Sequence, residues 1–182
     1  MSQPYAPIAQ YTFRRSVFES DQTYIVYPDR IDVEGAGVGP RRYLLNDVRT
    51  IHLKYEHTKQ RAYYQCIIRF TRARLSFRHL HWMGPGKFED RRATYTPFVK
   101  ALLGELSRFP DVQYKAGSMV NFISAILGVP IMAALGLLAL AHDRTGSAAL
   151  AGLMLGICLL MIPRSRPRRL DPLAPPADLL PE

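Results

Sequence analysis

MVNFISAILGVPIMAALGLLALA, residues 119–141, is the stretch whose reading decides the fold. Its only polar side chains are Asn121 and Ser124, both near the beginning. Twenty-three residues at about 1.5 Å each make roughly 34 Å of helix, enough to cross a hydrocarbon core of about 30 Å. A second run, AALAGLMLGICLLMI at 148–162, carries no charge. It is short, and spans with local thinning or snorkelling of its flanks. A core helix of a soluble bundle keeps a polar stripe toward water. Neither run has one, so the sequence predicts transmembrane helices over 117–141 and 148–162, joined by an extracytoplasmic turn at 142–147. A re-entrant hairpin is the competing reading for the shorter run.

Working outward, the flanks orient the hairpin. Lys100, Arg108 and Lys115 precede it, Arg164, Arg166, Arg168 and Arg169 follow it, and the turn holds only Arg144. Basic residues stay on the cytoplasmic side, which predicts both termini there. Ala148, Gly152 and Gly156 form a row of small residues that suits close helix–helix approach, with Gly128 or Gly136 as a facing position. Pro130 predicts a kink, and without an ionisable residue at that depth its role is packing. The opening MSQPYAPIAQYTFRRS lacks the pattern of a signal peptide.

The 182 residues carry 24 Lys+Arg against 15 Asp+Glu. Residues 1–116 hold 19 of those bases and 11 of the acids, a net of +8. The mean hydropathy of −0.07 therefore averages a polar half with an apolar one. Within residues 10–116 the pattern is first strand-like. Thr23–Tyr27, Ile31–Glu34, Tyr43–Leu45, Ile51–Tyr55, Tyr64–Phe70 and Leu75–Phe77 are β-branched or alternate apolar with polar. Gly35 to Pro40 reads as a loop. The period then changes: Thr96-Pro97 opens a helix over 96–109, with Phe98, Val99, Leu102, Leu103 and Leu106 on one face. Residues 1–9 read as a flexible start. Six prolines between Pro163 and Pro181 make 163–182 an extended or disordered cytoplasmic tail.

Tyr27-Pro28-Asp29-Arg30-Ile31-Asp32-Val33, Leu44-Leu45-Asn46-Asp47-Val48-Arg49-Thr50-Ile51 and Tyr95-Thr96-Pro97-Phe98-Val99-Lys100-Ala101-Leu102 carry a resemblance. Antiparallel strands closed by a helix, beside membrane segments, resemble the bacterial pleckstrin-homology-like domains of small membrane proteins. The resemblance covers roughly residues 10–110. It implies an α+β chain: an antiparallel β-rich PH-like domain capped by one C-terminal helix, then a two-helix transmembrane hairpin in the bacterial inner membrane. It also implies a non-catalytic platform binding lipid headgroups, peptides or copies of itself.

Chemistry-bearing motifs are few. Cys66 and Cys158 cannot build a disulfide framework or a four-thiolate metal site. His79 and His81 share a strand face that His52 could neighbour, short of the three or four convergent ligands zinc requires. Gly35-Ala-Gly37-Val-Gly39 lacks the lysine and helix of a phosphate loop. The sequence thus predicts no enzyme, no metal and no cofactor. Arg69, Arg72, Arg74 and Arg78 lie on or beside one hairpin, with Arg41-Arg42, Lys87 and Arg91-Arg92 adding basic pairs. With Arg164, Arg166, Arg168 and Arg169 they are candidate contacts to an anionic membrane surface or a partner. Nucleic acid is disfavoured, for want of a recognised motif. The expected partners are membrane lipids and a homo-oligomer or larger membrane complex. Two functions compete: an inner-membrane-anchored binding or assembly module, and an accessory subunit of a transport or respiratory complex held through the hairpin.

Overall fold

The structure, a computed structural model, describes residues 6–35, 38–57, 62–142 and 144–180. The chain is α+β and divides into two compact units. One is the chain up to Ala116 together with Arg169 onward; the other is Gly117–Arg168.

In the first unit, strands β1 (Ala9–Phe13), β2 (Gln22–Val26), β3 (Arg30–Gly35) and β4 (Val38–Leu44) form an antiparallel meander. Alternation selects its inner face: Tyr11, Phe13, Tyr24, Val26, Ile31 and Val33 are buried. A 3-10 turn at Leu45–Asp47 leads to a second sheet of β5 (Val48–His57), β6 (Ala62–Phe70) and β7 (Arg74–Arg78). Ile51 lies opposite Ile68, Leu53 opposite Cys66, and Cys66 opposite Phe77, so one face of this sheet enters the same core. A two-stranded ribbon follows, β8 (Leu80–Gly84) with β9 (Lys87–Asp90). After helix α1 (Arg92–Leu106), strand β10 (Gln113–Ala116) pairs parallel to β5, and β11 (Arg168–Arg169) completes the sheet order.

Helix α1 buries Tyr95, Phe98, Val99, Leu102, Leu103 and Leu106, a stripe at helical spacing. Phe98 packs 5.3 Å from Phe77 and 5.5 Å from Tyr11, ring to ring. Its limits correct the expected 96–109. Asp90 accepts the Arg92 amide at 3.0 Å and its guanidinium at 2.7 Å, so the helix starts before the proline. Pro97 is carried inside at the loss of one intrahelical hydrogen bond. The expected loop at Gly35–Pro40 is also shorter. Gly39 and Pro40 belong to β4, an edge strand where a missing amide is tolerated.

The proline-rich tail does more than the sequence suggested: across 169–180 it packs back onto the first unit. Leu170, Leu179 and Leu180 are buried in the core of the first unit, the Leu170 amide donates to the Tyr114 carbonyl at 3.2 Å, and Ala177–Leu179 forms a 3-10 turn. Each buried leucine contributes about 1.5–3 kcal/mol. Prolines lower the entropy that the free tail would lose on docking.

In the second unit, α2 (Met119–Ala141) and α3 (Thr145–Ser165) form an antiparallel hairpin. Ser118 caps α2 by accepting the Asn121 amide. Asn121–Ala141 and Thr145–Pro163 are long and apolar enough to cross a membrane, with mean hydropathies of 2.4 and 2.1 and only 6% of each window buried. Helix α3 is longer than the expected 148–162 and runs through Pro163, with Arg166 N–H closing on the Ile162 carbonyl.

Candidate functional site

The register of the second sheet assembles a basic face. Residues directly opposite share a side of the sheet. Gln113, Thr50, Arg69 and Arg74 therefore form one outward row; Lys115, His52, Ile67 and Ser76 form the next and Lys54, Gln65 and Arg78 a third, with Ile67 and Gln65 buried at their centres. Among the described residues, Arg69, Arg74, Arg78, Lys54 and Lys115 stand there against Glu56, which pairs with Lys54 at 3.6 Å. Arg69 and Arg74 are exposed cross-strand neighbours, a like-charge pairing that water tolerates and an anion would relieve. Arg49, at the bulge of β5, donates to the Thr71 hydroxyl at 3.1 Å beside them. Arg72 is exposed in the β6–β7 turn. Among the described residues no ion pair joins Arg49, Arg69, Arg72 or Arg74 to a carboxylate.

Arg78 is less available than its neighbours. Its guanidinium lies 4.2 Å from the Tyr63 ring centroid, and the Tyr63 hydroxyl donates to Glu56 at 2.6 Å. The basic run does not continue past it as the sequence suggested. Arg91 pairs with Glu89 at 2.7 Å and donates to the Thr12 carbonyl, and Arg92 pairs with Asp90. Arg42 is 3.7 Å from Asp32. Arg166, Arg168 and Arg169 are exposed, whereas the Arg164 side chain lies outside the described residues.

His79 and His81 are buried, not presented to a ligand. His79 Nδ1 accepts the Tyr64 amide at 3.0 Å and His81 Nδ1 accepts the Arg14 amide at 3.1 Å. Each imidazole thereby stitches the corner between β7 and β8 to a neighbouring strand. Burial lowers both pKa values, against carboxylates that draw near: Asp90 for His79, Asp21 and Glu89 for His81. No cluster of three His, Cys, Asp or Glu able to hold a metal occurs among the described residues. Cys66 sits in the apolar core, where burial pushes its thiol pKa up and away from nucleophilic thiolate.

The helix hairpin corrects one expectation. A side chain at Gly152 or Gly156 would meet nothing within 4 Å, so that row with half-buried Ala148 is not the seam with α2. The close approaches are elsewhere. A Cβ on Gly128 would fall 2.8 Å from the Cys158 sulfur, and one on Gly136 would lie 3.5 Å from Ala151. The small-residue spacing was readable in the sequence; which face α2 covers was not.

Comparison with family models, curated proteins and solved structures returns no significant match to this chain.

Proposed function

We propose that this chain is a non-enzymatic binding module anchored in the bacterial inner membrane, with a PH-like β unit whose basic sheet face meets anionic lipid headgroups. The observation that carries the reading is the outward row of Arg69 and Arg74, unpaired with carboxylate, in a chain with two candidate spans. Each Lys or Arg near an anionic leaflet contributes about 1 kcal/mol of attraction. Connectivity supports it: only Gly117 and Ser118 separate β10 from α2, and only Arg166 and Pro167 separate α3 from β11. Two residues span at most roughly 7 Å, so a bilayer that holds α2 and α3 keeps both strand ends near its surface. Flanking arginines orient the hairpin with its ends inside. A four-stranded antiparallel meander, then the antiparallel β5–β6–β7 part of a five-stranded sheet, with α1 packed on the core, supports the PH-like assignment.

The test uses the full chain in nanodiscs of neutral or anionic lipid, read by hydrogen exchange. Anionic lipid should slow exchange across residues 69–74, salt should reverse the effect, and Arg69→Gln with Arg74→Gln should remove it. Identical exchange in both lipids would sink the reading.

A second reading, an accessory subunit of a larger membrane complex, is favoured by the open space beside Gly152 and Gly156, which suits a partner helix. Replacing both with Leu should reduce the native mass of the complex purified in mild detergent. An unchanged mass counts against it.

A further inference from the structure

The turn between β1 and β2 exposes two apolar side chains on a stiff support. Phe18 is 96% exposed and Val17 is 55% exposed. Neither is in a loose loop. The Glu19 amide closes on the Ser16 carbonyl at 3.2 Å, and the Arg14 Nε donates to both the Ser16 and Glu19 carbonyls, at 3.3 and 2.8 Å. Arg14 thus ties the turn from beneath while its guanidinium rests 4.8 Å from the Trp82 ring centroid. Its backbone is pinned as well, donating to His81 Nδ1 and accepting the Trp82 amide at 2.9 Å.

Those contacts bring the β8–β9 ribbon alongside the turn. The ribbon tip, Met83-Gly-Pro-Gly86, has Met83 60% exposed and Phe88 38% exposed. Gly86 adopts φ +68, the left-handed conformation that closes the tip. Arg14, 67 residues from His81, thus joins the turn to β8, and each of the two segments exposes apolar side chains. Arg15 and Lys87 flank it in sequence, and the half-buried indole lies at its root. A rigidly displayed phenylalanine is unfavourable in water and favourable in the headgroup region, where aromatic rings and cations partition together.

We infer that Val17, Phe18, Met83 and Phe88 form an insertion foot that passes the headgroups of a bilayer and touches the upper acyl chains, with Arg14 and Trp82 as its rigid base. The inference rests on the membrane-surface reading above and adds a distinct, apolar contact to it. The occupant is the lipid interface itself. The chain carries its own candidate spans with two-residue connectors, and exposed Lys87 beside the ribbon tip complements lipid phosphates.

The chain has a single tryptophan, which makes the test direct. Full chain is reconstituted in nanodiscs whose lipids carry bromine on the acyl chains, which quench indoles that reach them. Trp82→Phe supplies a dark background, and Phe18→Trp then places the one indole on the foot; the site is exposed, so folding is undisturbed. Phe18→Trp should be quenched several-fold relative to unbrominated lipid, with a blue-shifted emission, and native Trp82 should be quenched less. An unquenched Phe18→Trp, with anionic lipid still slowing exchange across residues 69–74, overturns the foot and leaves the basic-face reading standing. If that slowing is absent as well, both fail. A blue-shifted but unquenched Phe18→Trp assigns the surface to a second copy or another protein, and overturns the inference.

Discussion

Gly117→Ala tests the narrow crossing where the chain enters and leaves the helix hairpin. Gly117 adopts φ +83, and a Cβ there would collide with the Arg166 carbonyl oxygen and lie 2.9 Å from both the Arg166 carbonyl carbon and the Ser165 carbonyl oxygen. All three are backbone, which no rotamer change can move. The neighbouring Ser118 amide donates to the Ser165 carbonyl at 3.0 Å, so relief of the clash stretches that bond. Left-handed backbone costs a non-glycine residue about 1–2 kcal/mol. A lost intramolecular hydrogen bond adds about 1 kcal/mol. The crossing is thereby weakened by about 2–3 kcal/mol, or roughly 30–150-fold in its opening equilibrium at about 1.4 kcal/mol per decade. Hydrogen exchange of the Ser118 amide, in the full chain in nanodiscs, reads that change. Gly152→Ala is the control, because its Cβ meets nothing within 4 Å and exchange at Ser118 should stay as in the parent chain. Parental exchange in Gly117→Ala would refute the reasoning.

Other perturbations separate local from tertiary causes. Leu179→Ala should destabilise the first unit by about 2–5 kcal/mol, read by chemical denaturation, because the side chain is buried in its core; a loss near zero would mean that the tail does not dock. Acid should weaken the fold through His79 and His81. Their folded pKa values lie below the unfolded 6.5, so the unfolded chain binds more protons, and stability is full above that value and falls as pH drops through it. The slope reaches at most about 1.4 kcal/mol per pH unit for each imidazole. Asp90 and Arg92 face His79, and Asp21, Glu89, Arg14 and Arg91 face His81. A melting temperature flat between neutral and mildly acid pH in His79→Gln/His81→Gln, against a falling one in the parent chain, is the expected pattern; equal slopes would contradict it. Tyr11→Phe should lower stability by about 1 kcal/mol, since its hydroxyl donates to the Arg78 carbonyl and ties β1 to β7.

Legibility in the sequence follows the range of the interaction. Alternation in Ile51–Tyr55 and the 3.6-residue stripe of α1 report burial within one element, and both appear in the structure. The start of α1 was misread because Thr96-Pro97 mimics a helix opening, whereas the helix begins at Arg92, whose amide donates to the Asp90 carboxylate. Strand β10 gives no strong pattern in four residues, and its parallel partner lies some sixty residues back in β5. The arginines of the β6–β7 hairpin were visible as a run, but the run is two populations. Arg69 and Arg74 share an outward row, while Arg91 and Arg92 are spent on Glu89 and Asp90. The foot was missed entirely, although Val17-Phe18 inside a charged segment was the available signal.

The sequence by itself determined the two apolar helices and the α+β order, because uninterrupted apolar length and hydrophobic period are properties of contiguous residues. Only the tertiary structure decided that Leu170, Leu179 and Leu180 return to the core, that Gly152 and Gly156 meet open space while Gly128 and Gly136 approach α3 at Cys158 and Ala151, and that Arg14 reaches Trp82. Those outcomes depend on which surfaces remain to be covered once the sheets have formed, and residues far apart in the chain supply the cover.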